Sequence, residues 1–160
     1  MARVKIKFPE QKPLFTAFVP VRITDINYGN HLGNDSLLSI LHEARMQFLQ
    51  HFGYTELNAG GNSLIMGDVM ISFRGESFYG DELSINIYAE EITERSFDLL
   101  YQVMTIRNEK KIEVAQAKTG MVCFDYTTRK VAPMNEDLKS VLKGLGFLKS
   151  SITFATQLAR

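Results

Sequence analysis

The chain has 160 residues, 45% of them hydrophobic, and its 18 Lys and Arg residues balance its 18 Asp and Glu residues. This length predicts one domain, spanning residues 1–160, that can bury a core without disulfide or metal staples. A formal charge of zero lacks the basic footprint that phosphate-backbone binding needs, so a nucleic-acid partner is not expected.

Three further features of the sequence indicate the compartment. No apolar run approaches the ~18 residues of a membrane span, and the first residues lack the apolar segment of a secretory signal. Cys123 is the single cysteine, which excludes an intramolecular disulfide and fits a reducing compartment. We therefore expect a cytoplasmic protein without a membrane association.

The first predicted strand covers residues 15–23, where Phe15, Ala17 and Val19 occupy alternate positions. Pro20 interrupts this run, which favours a sheet edge or a strand end, because proline cannot donate to the ladder. A polar loop follows over residues 24–33.

One long helix is predicted next, over residues 35–52. Its apolar positions recur at helical spacing and would face a sheet: Leu37, Leu41, Ala44 and Phe48. Asn34, Asp35 or Ser36 is expected to cap its start, and Gly53 is placed to end it.

Four alternating segments follow, over residues 65–73, 83–89, 97–103 and 112–125. Their short connections imply antiparallel neighbours, and a short second helix is expected within residues 131–148. One helix and one half-buried sheet predict a two-layer α+β domain with the sheet wrapped around the helix. Such a sheet leaves an open edge, so pairing across a two-fold axis is expected, giving a homodimer or homotetramer.

The polar loop and the helix carry a recognisable series of residues. It runs through Arg22, Asp25-Ile-Asn27, Gly29 and His31-Leu-Gly-Asn34, and continues into Glu43-Ala-Arg45 on the helix. Together with Gly80-Asp81-Glu-Leu83 downstream, this order resembles the 4-hydroxybenzoyl-CoA thioesterase family over residues 15–135. The resemblance implies a hotdog fold, in which a curved antiparallel sheet surrounds one long central helix, and hydrolysis of an acyl-CoA substrate.

Asn27 departs from the family pattern at one important position. In the family the second carboxylate of an Asp-x-Asp pair usually acts as nucleophile or base; here Asp25 matches the first position, and Asn27 occupies the second. An amide cannot accept a proton as a base, but it can orient water or donate a hydrogen bond to an oxyanion.

The start of the helix predicts an oxyanion site on physical grounds. The first N–H groups of a helix have no intrahelical acceptor, and the helix dipole adds partial positive charge there. Gly29 and Gly33 would let the backbone approach a ligand closely. A thioester carbonyl that gains negative charge as water attacks would be stabilised by such donors.

The candidate catalytic residues are therefore Asp25, Asn27 and His31, with Asp25 or another nearby carboxylate as the base. The candidate substrate-binding residues lie at the end of the loop, on the helix, or on a strand that could face a partner's site: Gly33, Asn34, Glu43 and Asp68. Each also has an ordinary structural explanation: Asx turns for Asp25 and Asn27, a backbone contact for His31, a helix cap for Asn34, and solvated faces for Glu43 and Asp68. Neither a metal nor another cofactor is predicted, because the three histidines do not form a ligand motif.

Three functions remain open at this point. The first is an acyl-CoA thioesterase; the second is a hotdog enzyme acting on acyl chains attached to a carrier protein. The third is a catalytically silent acyl-thioester binder, which the amide at Asn27 makes credible. Fold alone does not select among them.

Overall fold

The computed structural model describes residues 3–145. Two helices, six strands and a short 3₁₀ turn follow one another in this order: β1 (Phe15–Pro20), the turn (Ile23–Asp25), α1 (Asn34–His51), β2 (Ser63–Phe73), β3 (Glu82–Glu90), β4 (Ser96–Arg107), β5 (Lys110–Asp125), β6 (Lys130–Val131) and α2 (Glu136–Leu142).

All strand pairs are antiparallel, and the main strands lie in the order β1-β3-β4-β5-β2. The predicted α+β architecture is confirmed, and β1 and β2 form the two edges of this five-strand path. Pro20 is the last residue of β1, as its missing N–H led us to expect. The sixth strand, β6, pairs with β5 and was not predicted, since two residues are too short to show an alternation.

Helix α1 covers the inner face of the sheet with the apolar stripe that its sequence predicted. Leu37, Leu41, Ala44 and Phe48 are at most 2% exposed. They share one hydrophobic cluster with inward-facing residues of β3, β4 and β5. Burying a large apolar side chain contributes roughly 1.5–3 kcal/mol, so this stripe fixes the helix on the sheet. The helix ends at His51, and Gly53 follows with a φ of +80°, the left-handed conformation expected of a C-terminal glycine.

Strand β2 contains a bulge that the sequence did not reveal. Met66 pairs with Met121, while Asp68 pairs with the next residue of β5, Gly120, so Gly67 is an extra residue. The bulge reverses the alternation between its two sides. Leu64 and Met66 therefore lie on the same face as Val69, whereas an uninterrupted alternation, which the sequence pattern predicts, would have placed them on the opposite face; that prediction was wrong.

The short helix α2 lies inside the range predicted for it, although the last part of that range, including Leu148, is outside the described residues. Its Leu138 and Leu142 belong to the same core as α1. Among residues 3–145, no helix combines the length and the apolar composition that a membrane crossing requires.

Candidate active site

The loop between β1 and α1 is held in place by its own backbone. Ile26 and Leu32 form an isolated antiparallel bridge, and the Gly33 N–H donates to the Asp25 carbonyl oxygen at 2.9 Å. The Leu32 N–H donates to the carbonyl oxygen of Ser77, which ties the loop to the segment before β3. These bonds place the middle of the loop directly before the helix.

Asp25 is buried and faces back into the loop. One carboxylate oxygen accepts from the backbone N–H of Arg22 at 2.8 Å and lies 3.4 Å from the Arg22 Nε. Only 5% of the residue is exposed. Asp25 therefore has an ordinary structural role, although not the Asx turn expected for it, since its carboxylate bonds back to Arg22 and closes the 3₁₀ turn.

Asn27 and His31 meet beside Gly29. The Asn27 amide oxygen accepts from the Gly29 N–H at 2.8 Å, an Asx turn, and Asn30 completes the turn with a φ of +61°. A Cβ at Gly29 would lie 3.2 Å from that amide oxygen and 3.1 Å from the His31 Nε2. The imidazole and the amide therefore border the same small space.

The hydrogen bond of His31 assigns its tautomer. Its Nδ1 lies 3.2 Å from the Leu32 carbonyl oxygen, which can only accept, so Nδ1 carries the proton in this contact. In the neutral ring, Nε2 then keeps a lone pair and faces Gly29. A ring nitrogen in this state can accept a proton or a hydrogen bond from water.

The start of α1 has no side-chain cap. Gly33 is the N-cap residue, with φ −72° and ψ 150°, and Asn34 is the first helical residue. The prediction that Asn34, Asp35 or Ser36 is the cap was wrong, because the bond from Gly33 to Asp25 starts the helix earlier. The backbone N–H groups of these three residues remain directed out of the helix start.

Gly33 also provides space at this point. A Cβ there would lie 2.8 Å from the Asp35 Oδ1, closer than side chains normally approach, and 3.6 Å from the Asn27 Cβ. The open helix start and the Asn27 side chain are therefore neighbours. Uncapped donors beside an orienting amide can bind a carbonyl oxygen that gains negative charge.

Glu43 lies in a groove of about 500 Å³ along the exposed side of α1. One Glu43 carboxylate oxygen accepts from the Gln47 amide at 3.0 Å. Arg22 belongs to both the groove and the loop, so the groove begins where the loop turns. Its other lining residues are mainly apolar or neutral: Val19, Pro20, Ser39, Ile40, His42 and Met46.

Asp68 lies on a different edge of the sheet from this loop. It is on β2, whereas the loop follows β1 at the opposite edge. Its carboxylate accepts from the Lys118 Nζ at 2.7 Å and from the Gly120 N–H at 3.0 Å, and the bond from Lys118 is the main reason that the pKa of Asp68 lies below its usual range. Its side chain is 64% exposed, so within one chain Asp68 faces solvent and does not join Asn27.

A buried polar network on α1 received no role in the sequence analysis. The Arg45 Nε donates to Glu56 at 2.7 Å, and the Arg45 guanidinium also contacts the Tyr101 hydroxyl, which bonds to Thr119. Burial alone would raise the pKa of Glu56, but the hydrogen bond and charge of Arg45 hold it below its ordinary value. The sequence did indicate that Arg45 is buried, because it follows Leu41 by four positions and therefore lies on the face of α1 that packs against the sheet.

Among the described residues, no three His, Cys, Asp or Glu side chains are grouped as metal ligands would be. The loop brings the Asn27 amide and the His31 ring together beside Gly29, and Gly33 and the first turn of α1 follow directly after it.

Comparisons with known proteins identify the family of the chain. Residues 21–142 match the model of the thioesterase-like superfamily. A 1,4-dihydroxy-2-naphthoyl-CoA hydrolase from Microcystis aeruginosa is 34% identical over 72% of this chain and 83% of its own length. A protein of the same name from Rippkaea orientalis is 27% identical over 77% of this chain and 91% of its own length.

The fold is also found in a solved structure, that of a 1,4-dihydroxy-2-naphthoyl-CoA thioesterase from Synechocystis. It superimposes with a TM-score of 0.70 at 22% identity, covering 80% of this chain and 94% of the other. The hotdog fold implied by the resemblance is therefore confirmed. The chain belongs to the thioesterase-like superfamily.

Proposed function

We propose that this protein hydrolyses acyl-CoA thioesters to a free acid and CoA. The observation that carries the proposal is the uncapped start of α1, directly after a loop in which the Asn27 amide and the His31 ring lie beside Gly29. This arrangement supplies donors where the thioester oxygen gains charge during attack by water. The names of the two curated relatives, both hydrolases of a CoA thioester, support the same reaction.

An aromatic acyl group is the first substrate class to test. The relatives are named for a bicyclic aromatic acyl-CoA. The groove of about 500 Å³ that starts at Arg22 has apolar residues such as Ile40 and Met46 along α1. Its volume lies in the range of sites that bury small organic ligands. In this proposal the ring system lies in the groove, where Glu43 offers an acceptor for a ring hydroxyl.

The site residues have the following proposed roles. Asn27 orients the attacking water or the carbonyl, and His31 assists through Nε2. Asp25, a candidate base because the amide of Asn27 cannot accept a proton, also holds the loop through Arg22. Asn34 places a backbone donor at the oxyanion, and Gly33, whose own N–H is bonded to Asp25, leaves the space through which a ligand approaches it.

Self-association is part of the same proposal. Three residues of β2 that face the helix side of the sheet are 40% or more exposed: Met66, Val69 and Phe73. Exposed apolar residues on an unpaired edge strand favour pairing with a second copy. A homodimer joined through β2 would also bring Asp68 of one copy towards the other. A cytoplasmic location is proposed as well, supported by the CoA substrate class and the unpaired Cys123.

Sedimentation tests the dimer with a matched pair of variants. We expect the wild type to sediment above the 18.2 kDa of one chain at micromolar concentration. Phe73→Lys should weaken association, whereas Phe18→Lys on the β1 edge, also exposed, should not. A wild type that sediments only as a single chain would contradict this part of the proposal.

Thiol release from a panel of acetyl-, palmitoyl-, benzoyl- and 1,4-dihydroxy-2-naphthoyl-CoA tests the activity. We expect hydrolysis, fastest with an aromatic thioester. Binding of these thioesters without any hydrolysis would instead identify a silent acyl-thioester binder, which Asn27 makes the specific alternative. Faster hydrolysis of the same acyl group on a carrier protein than on CoA would assign the carrier-linked substrate.

A further inference from the structure

We propose that Asp35 accepts the proton of the attacking water, in the place where Asn27 cannot act as a base. The assignment rests on the thioesterase activity proposed above. It adds a catalytic residue that the sequence pattern alone had suggested only as a possible helix cap.

The space beside Gly33 brings Asp35 and Asn27 together. The point where a Gly33 Cβ would lie is 2.8 Å from the Asp35 Oδ1 and 3.6 Å from the Asn27 Cβ. The Asp25 carbonyl oxygen is also 3.6 Å from that point. The Asp35 carboxylate and the Asn27 side chain therefore border one space at the open end of α1, which is where a carbonyl bound by the helix N–H groups would sit.

The other candidate carboxylates already have partners. Asp25 bonds to the backbone of Arg22, Glu43 to the amide of Gln47, and Asp68 to Lys118. Asp35 is exposed, and no residue in the described part of the chain donates a hydrogen bond to its carboxylate or forms an ion pair with it. A carboxylate that is accessible and unpartnered can bind water, and general bases must lie within hydrogen-bond reach of the proton they remove.

The proposed step is balanced within the site. The water oxygen forms a bond to the thioester carbonyl carbon as one water proton passes to an Asp35 oxygen. The N–H groups at the start of α1 donate to the resulting oxyanion. When the carbonyl reforms, the carbon–sulfur bond breaks, and the leaving CoA thiolate takes the proton from Asp35, giving the free acid and the thiol.

An acidic residue in the first turn of a helix also has an ordinary role, because it is stabilised by the helix dipole. Asp137 occupies the same position in α2, the second residue of the helix. It lies outside the proposed site, so Asp137→Asn is a matched control for the loss of a helix-start carboxylate.

The test compares the wild type with Asp35→Asn, Asp137→Asn and the double variant Asn27→Asp/Asp35→Asn, using the thioester of the panel that the wild type hydrolyses fastest. We expect Asp35→Asn to lower kcat by roughly 10²–10⁴-fold with little change in KM. It should also remove the low-pH limb that protonation of the base gives the wild-type kcat profile. Asp137→Asn should match the wild type, and the double variant should recover turnover because its new carboxylate borders the same space.

Folding of each variant is checked by thermal unfolding, and Asp35→Ser replaces Asp35→Asn if the latter does not fold. A folded Asp35 variant with wild-type kcat overturns the assignment, as does residual activity that keeps the wild-type low-pH limb. A wild type that hydrolyses no thioester of the panel overturns the proposed function itself. An active wild type with an unaffected Asp35 variant overturns the role of Asp35 alone.

Discussion

The two helices within residues 3–145 begin in opposite ways. Helix α2 starts at Asn135, whose side-chain oxygen accepts from the Asp137 N–H at 2.7 Å. Helix α1 starts at Gly33, which has no side chain to offer, although α1 is the longer helix and carries more of the core. Both have an aspartate as their second residue. The difference lies in whether the backbone donors are occupied.

A capped start serves stability, whereas an open start leaves donors for another molecule. An N-cap side chain contributes about 1 kcal/mol compared with alanine, and glycine keeps much of that contribution because water can reach the donors. Gly33 therefore costs α1 little, and no side chain in the described part of the chain caps the first N–H groups of the helix. We infer that the start of α1 lacks a side-chain cap so that its N–H groups can bind a ligand, whereas the start of α2 is capped to stabilise the fold.

Closing the open start should have the largest effect. In Gly33→Ser the new hydroxyl can accept from the Asp35 or Ser36 N–H, which removes a donor from the site, and the new Cβ displaces the Asp35 carboxylate, whose Oδ1 lies 2.8 Å from that position. We expect turnover of the best acyl-CoA to fall roughly 10²–10³-fold, the usual cost of losing one oxyanion donor. The unfolding free energy should change by only a few tenths of a kcal/mol. Steady-state kinetics and urea unfolding measure the two quantities, and unchanged turnover would refute the role of the open start.

The ion pairs of the two helices also differ, in how exposed the acidic partner is. Arg45 of α1 is buried against Glu56, whereas Lys139 of α2 pairs with Glu94, whose side chain is 81% exposed. Glu56→Gln leaves a buried guanidinium without a counterion and should cost about 3 kcal/mol of unfolding free energy. Glu94→Gln should have a smaller effect, because Glu94 is exposed and the buried Lys139 keeps Glu136 as a second partner at 3.3 Å. Equal shifts in the urea midpoint of the two variants would show that burial does not distinguish these pairs.

Opening the closed start should have a smaller effect. Asn135→Ala removes the cap of α2 and should cost about 1 kcal/mol of unfolding free energy. Turnover per folded molecule should stay at the wild-type value, because α2 is outside the proposed site. Urea unfolding and thiol release measured on the same preparation provide the check. Lost turnover in a fully folded Asn135→Ala protein would remove the contrast between the two helices.

The stabilisation by the Arg45–Glu56 pair of α1 should also depend on pH. The pKa of Glu56 is lower in the folded protein than in the unfolded chain, so its contribution is fully present above the unfolded pKa of about 4.3 and is lost as pH falls through the folded value. The wild type should therefore lose stability on acidification below that range more steeply than Glu56→Gln. Urea unfolding at several acidic pH values measures this, and parallel losses would contradict it.

The apolar pattern predicted most of the fold but not the site's detail. The stripe from Leu37 to Phe48 identified α1, because helical spacing is a local property of the sequence. The bulge at Gly67 was not predictable, since one extra residue is set by pairing with β5 and reverses every face beyond it. Asn34 fits a cap by residue type, yet the helix starts earlier because a bond from across the loop fixes Gly33.

The candidate site shows the same limit. The loop motif identified Asn27 and His31 as neighbours of the helix start, and both lie beside Gly29. The sequence also showed that the position of Asn27 lacks a carboxylate. Only the three-dimensional arrangement shows that the Asp35 side chain turns back towards Gly33, because that direction depends on the path of the loop.

The most direct measurement is the carbonyl stretching frequency of a bound substrate analogue. A benzoyl-CoA analogue with a methylene in place of the sulfur keeps the carbonyl but cannot be hydrolysed, and a ¹³C label identifies its band by difference vibrational spectroscopy. An open helix start that donates to this oxygen polarises the carbonyl. The account predicts that the band moves to lower frequency on binding to the wild type and that Gly33→Ser reduces the shift. Equal frequencies for the free and bound analogue would contradict it.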